Sequence, residues 1–273
     1  MTSPPLDVAV VGDNTIDRFL DDAERGDLVG GNALNVAVQL AMLGLRVGYF
    51  GAVGTDADAD VVRAAARERG VEVSGLITLP GTTALTTIRR DAGGDRRFES
   101  EDFGVTAHYR PDEEALRRIA SSRWVHVGML PDAGSFGRAL ARLSDVPLSQ
   151  DCSVSPESHR LAVHFASAGE DEGEAERIVE RALAAGADLA VATLGAHGAL
   201  AGRAQSRCRV PAEPVAVVDT TGAGDSFMAG FIAGRLRGED VEQALRRGVE
   251  RGSFTCMYRG GWPQTPADVT RFG

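Results

Sequence analysis

Short apolar runs that end in turn residues alternate with longer segments of helical period along most of this chain, and that rhythm restricts the fold more than any single residue does. Leu6 to Val11, followed by Gly12, reads as a buried strand running into a turn. Asn32 to Leu43 keeps apolar groups at helical spacing, with Asn32 placed to cap it and Gly44 to stop it. Arg46–Val53 is strand-like and Asp56–Arg69 helical. The rhythm then breaks. From Ile77 to Phe103, β-prone pieces at 86–88 and 96–98 flank the turn 91–95, a polar hairpin unlike its surroundings. It resumes with helices at 112–121, 133–143 and 174–185, strands at 124–127, 147–150, 161–165 and 189–193, and closing helices at 223–236 and 241–258. Strands separated by helices need crossovers, which predicts a parallel sheet covered on both faces.

Length and composition fit one large core: 273 residues, 43% of them hydrophobic. A net charge of −10 argues against nucleic acid, whose binding relies on cationic contacts to phosphate. No stretch reaches the roughly 18 apolar residues of a membrane span, and the N-terminus lacks a basic segment leading into an apolar one. Cys152, Cys208 and Cys256 show neither metal spacing nor a disulfide framework, as expected of reduced thiols in a cytoplasm.

Three segments carry chemistry. Asp219-Thr220-Thr221-Gly222-Ala223-Gly224-Asp225-Ser226-Phe227 opens an apolar helix. The unpaired N–H groups of a helix start, with the positive end of the dipole, make an anion site. Asp225 among them would repel an anion unless it has a task, such as taking a proton from an attacking hydroxyl. An ordinary capped helix with a first-turn acid would use the same letters. Gly12-Asp13-Asn14-Thr15-Ile16-Asp17 follows the first strand's C-terminal end, where open α/β sheets keep their crevices, so Asp13, Asn14 and Asp17 are candidates for binding sugar hydroxyls. In Gly30-Gly31-Asn32-Ala33-Leu34-Asn35, two glycines allow close approach and Asn35 offers a donor and an acceptor.

The nine residues from Asp219 resemble, almost letter for letter, the C-terminal signature of the PfkB (ribokinase-like) family of sugar and nucleoside kinases. Gly30, Gly31 and Asn35 resemble its other signature, Gly-Gly-x-x-x-Asn. The resemblance implies a ribokinase-like three-layer α/β/α sandwich with a mostly parallel central sheet. It implies one domain over 1–273, with a small β-sheet lid from roughly 15–30 and 77–104. It implies ATP and Mg2+ as cofactors, with Asp225 as general base and Gly222, Ala223 and Gly224 as the anion hole. Asp17, Gly31 and Asn35 would hold the sugar, with Gly30, Asp13 and Asn14 beside them. Thr193, Gly195 and Gly198, in a segment resembling the family's Thr-Leu-Gly-x-x-Gly, would border the nucleotide with Gly222 and Gly224. Glu170 would reach Mg2+ through water, although Ser167 stands where the family keeps an asparagine. Asp219 and Thr221 match positions that bind a monovalent cation, K+, in several relatives. The strings Gly-Asp-Asn-x-x-Asp and Gly-Gly-Asn-Ala-x-Asn-Val-Ala-Val, with a late Gly-Gly-Trp, look most like the fructoselysine 6-kinase branch. Ribose, fructose, ketodeoxygluconate-type acids and nucleosides stay open as acceptors, and a non-catalytic sugar- or nucleotide-binding module that keeps the fold is the alternative of another class. The expected partners are small molecules alone, with neither nucleic acid nor membrane, and a homodimer through the lid is allowed.

Overall fold

The computed structural model describes residues 5–20, 26–90, 96–155 and 160–272. Its centre is a nine-stranded sheet in the order β13-β12-β11-β10-β9-β8-β1-β4-β5. The strands are β1 (Val8–Val11), β4 (Val47–Val53), β5 (Glu72–Thr78), β8 (Trp124–Val127), β9 (Leu148–Asp151), β10 (Val163–Ser167), β11 (Ala190–Thr193), β12 (Ala199–Arg203) and β13 (Ser206–Val210). From β11 across to β5 every pairing is parallel, while β12 and β13 close one edge as an antiparallel hairpin. β1 lies between β4 and β8, so the chain builds outward from it in both directions. The crevice beyond β1 and β8 is therefore the switch point at which such sheets place ligands.

Helices cover both faces. α1 (Asn32–Met42), α2 (Ala57–Glu68), α6 (Ala223–Leu236) and α7 (Val241–Thr255) lie on one side, burying Val8, Val10, Tyr49 and Trp124 with Phe227, Phe231 and Leu245. On the other side α3 (Glu113–Ala120) and α4 (Ala133–Ala141) cover Ala9, Val11, Phe50 and Val127. α5 (Glu172–Ala184) covers Ala190, Ala192 and Leu200. A short helix α8 (Pro266–Phe272) follows. No helix among the described residues is long and apolar enough to cross a membrane.

A second sheet, β3-β2-β6-β7, uses β2 (Thr15–Phe19), β3 (Leu28–Gly30), β6 (Leu85–Arg90) and β7 (Arg96–Asp102). Strand alternation sends Ile16 and Val29 into the main core, while Phe19, Leu28 and Ile88 cluster on the opposite face. The expected turn 91–95 lies outside the described residues.

Several boundaries differ from those expected of the sequence. Ile77 belongs to β5 on the main sheet, so the small sheet's second half begins only at Leu85. β9 runs one residue further, to Asp151, and β10 spans Val163–Ser167. The hairpin of β12 and β13 carries Ala199, Ala201 and Gly202, residues of weak β preference, and shows only through its pairing. α7 stops at Thr255 because the chain must turn, with Gly260 at φ 75°, to bring its N–H onto Asp219.

Candidate active site

Helices α2, α3, α4, α5 and α7 each begin on an aspartate whose carboxylate accepts the backbone N–H three residues on. α1 and α6 do not. Their cap positions are Gly31 (φ 107°) and Gly222 (φ 74°), neither offering a side chain, and these two helices point their first turns at the crevice.

The start of α1 is satisfied from outside. Asp13, just past β1, accepts Asn32 N–H on Oδ2 (2.8 Å) and Ala33 N–H on Oδ1 (2.9 Å). Asp13, expected as a hydroxyl ligand, is thus first of all the cap of α1. Its burial, set against those backbone bonds, pushes its carboxyl up to about 6. Gly31 sits directly on the Asn14 backbone, where a Cβ would stand 2.9 Å from the Asn14 carbonyl carbon. The expectation that Asn32 caps the helix is corrected here: because Asp13 takes that role, the Asn32 side chain is free to bridge two acids. Its Nδ2 donates to Asp225 Oδ1 (2.7 Å) and to Asp151 Oδ2 (2.9 Å). Asn35, three residues on and so on the same helix face, donates from Nδ2 to Asp225 Oδ2 (2.7 Å).

Asp225 therefore holds both oxygens against amide donors in the first turn of α6, with 9% of its surface exposed. Burial raises its pKa well above the ordinary carboxylate range. The Asn35 bond opposes that rise, and the nearby charges of Asp151 and Asp13 add to it. A carboxylate made basic in this way is suited to proton abstraction. Next to it, Gly224 is exposed, and a Cβ there would meet nothing within 4 Å. Ala223 N–H closes a turn on the Thr220 carbonyl at 3.2 Å. Gly222 lies against Gly261, whose Cα would be 2.5 Å from a Cβ at 222.

The loop before α6 is braced by its own residues. Asp219 Oδ1 accepts the N–H (3.1 Å) and the hydroxyl (2.9 Å) of Thr221, and Oδ2 accepts Gly260 N–H at 2.8 Å. Behind it Gln39 Nε2 donates to Tyr258 Oη (3.0 Å) and the Gly261 carbonyl (2.5 Å), while Arg251 Nε donates to Gln39 Oε1 (2.7 Å). Tyr258 and Trp262 are buried in the interior.

On the side expected to border a nucleotide, Thr193 ends β11 in register with Ser167 of β10. Gly195 (φ 54°) comes next, and a Cβ there would lie 3.3 Å from Glu170 Cγ, so the metal candidate and the nucleotide candidate share an edge. Glu170 is exposed. Gly198 (φ 90°) is buried against the Val210 carbonyl, with Ala212 N 2.8 Å from a Cβ placed on it, and so packs the edge hairpin more than it faces the cleft.

On the side expected to hold the sugar, Asn14 Nδ2 donates to the Ala52 carbonyl (2.8 Å) and Tyr49 Oη (3.1 Å). Asp17 Oδ2 lies 3.2 Å from where a Cβ would stand on Gly30. The amide oxygens of Asn14, Asn32 and Asn35 are buried without a hydrogen-bond partner. The Asn32 oxygen is seated against Gly128; those of Asn14 and Asn35 are acceptors of the kind a sugar hydroxyl fits.

Asp151 is the residue that sequence reasoning passes over. With 7% of its surface exposed, it ends β9 and joins the Asn32–Asp225 pair. Its position at the C-terminal end of a central strand is the available signal, but a strand drawn to end at Gln150 leaves it in a loop.

The chain is 34% identical over 265 residues to a fructoselysine 6-kinase of Shigella flexneri, covering 93% of this chain and 99% of that one. It is 28% identical over 268 residues to a fructosamine kinase of Bacillus subtilis, covering 94% and 93%. The structure of Arabidopsis thaliana ribokinase, determined with ribose and ATP, superposes with a TM-score of 0.81 at 19% identity, covering 98% of each chain. The fold is thus ribokinase-like, a large mostly parallel sheet with a small four-stranded one. The model of the pfkB family carbohydrate kinases matches residues 7–268, from the first strand into the last helix, and the chain belongs to that family of phosphotransferases, which act on sugar hydroxyls and use ATP with Mg2+.

Proposed function

We propose that this kinase phosphorylates the 6-hydroxyl of a fructosamine of the fructoselysine type, with Asp225 as general base. The observation that carries the chemistry is Asp225 itself, buried at the start of α6, raised in basicity and held through both oxygens by Asn32 and Asn35. Asp225 takes the proton from the acceptor hydroxyl, whose oxygen then bonds to the terminal phosphorus of ATP as the bond to the departing ADP breaks. Gly31 and Asn35 orient the sugar beside it, with Gly30, Asp17, Asp13 and Asn14 lining the same side. When bound, ATP with Mg2+ supplies the phosphoryl group. Thr193 and Gly195 would hold the nucleotide with Gly222 and Gly224, Gly198 supporting them from the edge hairpin, and Glu170 would reach the metal through water. The amides of Gly222, Ala223 and Gly224 stabilise the charge that builds on the transferring group. Asp219 and Thr221, with main-chain groups near Gly260, form the candidate K+ site.

Two arguments favour an acceptor that carries an amine. The named relatives are a fructoselysine kinase and a fructosamine kinase. On the small sheet, Asp17 of β2, Thr86 of β6 and Glu101 of β7 stand side by side in register. Two carboxylates on one face suit a secondary ammonium joining sugar to amino acid. The test is a coupled ATP assay across fructoselysine, ribose, fructose and nucleosides, with and without K+. Fructoselysine is expected to exceed the others in kcat/KM by about tenfold or more, and K+ to raise turnover. A ribose or nucleoside that outperforms it would overturn the assignment, and rates indifferent to K+ would remove the cation.

A further inference from the structure

Asp151 and Asn32 form a bridge that the proton-transfer scheme does not require, and their bonding is unusually restrictive. Asp151 Oδ1 accepts Ser153 N–H at 2.9 Å and Oδ2 accepts Asn32 Nδ2 at 2.9 Å. The other hydrogen of the same Nδ2 goes to Asp225 Oδ1 at 2.7 Å. One amide nitrogen held between two carboxylates cannot turn without losing one bond. Flipping the amide would set its oxygen against two acids. In the observed orientation the Asn32 oxygen is buried with no donor, which is unfavourable for a buried acceptor. Gly128 makes room for it: a Cβ there would stand 2.5 Å from Asn32 Oδ1 and 2.8 Å from Ala33 N. A protein that keeps an unsatisfied atom in order to aim an NH2 group at two acids has a reason for the aim.

We infer that Asp151 is a positioning residue for phosphoryl transfer, acting on Asp225 through Asn32. The inference rests on the reading of Asp225 as the base. Asp151 locks Asn32, which fixes the Asp225 oxygen that its amide touches, and its negative charge makes Asp225 a stronger base. In the transfer step the hydroxyl proton passes to Asp225 alone. Asn32 keeps both hydrogens. Among the described residues, the charge around the base is confined to a few groups. Asp13 faces it from the turn after β1 and Asp151 from β9. His164 of β10 acts on Asp151. Tyr49 of β4 lies beside Asp13, and Arg251 of α7 stands behind Gln39. His126 of β8 is buried, with a pKa lowered to about 3, and carries no charge at neutral pH.

Asp151→Asn keeps the shape and, with its oxygen turned to Asn32, that acceptor, while deleting the charge and the Ser153 bond; Asp151→Ala deletes all of these. The measurement is the single-turnover rate of phosphoryl transfer from ATP to the acceptor sugar against pH, with KM for both substrates and thermal unfolding as the check on folding. In Asp151→Asn the acidic limb is expected to move to lower pH by about half a unit or more, with KM for ATP unchanged. Asp151→Ala is expected to lose about tenfold or more in rate, with the asparagine variant recovering part of it. A limb in Asp151→Asn that coincides with wild type overturns the inference, and this isosteric variant decides even if Asp151→Ala does not fold. The two readings fail separately: near-normal turnover in Asp225→Asn removes the base, whereas an unshifted limb beside an inactive Asp225→Asn removes only the role of Asp151.

Discussion

The two glycines flanking Ala223 should respond in opposite ways to the same added methyl group, and the contrast tests the architecture of the anion site. Gly222 holds φ 74°, and a Cβ on it would stand 2.5 Å from Gly261 Cα and 3.5 Å from Asn35 Nδ2. An alanine there meets a left-handed conformation, which costs about 1–2 kcal/mol. It also overpacks against main chain that cannot rotate away, which costs about 1–3 kcal/mol more. Gly222→Ala is therefore expected to lose about 2–5 kcal/mol of stability in a urea titration. Its turnover should fall as well, because Gly261 presses on Asn35 when it moves. Gly224 lies in the helix, and a Cβ added to it would meet nothing within 4 Å. Gly224→Ala should leave stability unchanged or raise it by about 0.5–1 kcal/mol, the usual gain of alanine over glycine in a helix. Yet if the transferring phosphate approaches this bare turn, the methyl stands in its path. Turnover should then drop, by up to about 10²-fold for an ångström of displacement. A Gly222→Ala protein as stable as wild type would refute the packing argument. A Gly224→Ala protein with wild-type KM for ATP and wild-type turnover would show that the phosphate does not pass there.

Two further outcomes follow from the buried acids. Asp225→Asn should fold, because the orphaned Asn35 oxygen can turn to meet the new amide; it should bind ATP and lose about 10² to 10⁴ in turnover, and near-normal turnover would end the general-base reading. Stability should also depend on pH with a definite sign. Asp13 is raised from 3.8 to about 6, so its contribution is intact below pH 3.8 and is lost as pH rises through about 6. That loss amounts to about 3 kcal/mol at 1.36 kcal/mol per unit. Asp151 and Asp225 are shifted in the same direction, so the slope of unfolding free energy between pH 4 and 7 should be shallower in Asp225→Asn than in wild type; equal slopes would mean that Asp225 does not titrate differently on folding.

The parts of the site that are local in sequence are legible there. The helix expected over 223–236 spans Ala223–Leu236 in the structure, because a run of small and apolar residues after a glycine cap decides a helix start without outside help. Gly31 and Asn35 can likewise be placed, since one helical turn puts Asn35 on the cleft side of α1. Asn32 departs from its expected role for a nonlocal reason. As a cap it would obey its own propensity, but Asp13, 19 residues earlier in sequence, takes the amides first. Asp151 is passed over for a related reason: its partner Asn32 is 119 residues away, and its one local mark, the end of β9, is lost when that strand is drawn to stop at Gln150. The edge hairpin of β12 and β13 escapes because its alanines and glycine carry no β preference, so pairing alone defines it.

By itself the sequence determined the α/β order, the bare start of α6 and the identity of the acid within it, because backbone donors, helix dipoles and apolar periodicity act over a few residues. The tertiary structure decided how basic that acid is, which amides hold it and which second acid stands behind it. Those properties come from burial and from groups more than a hundred residues apart, and only a folded sheet brings such groups to within a hydrogen bond of one another.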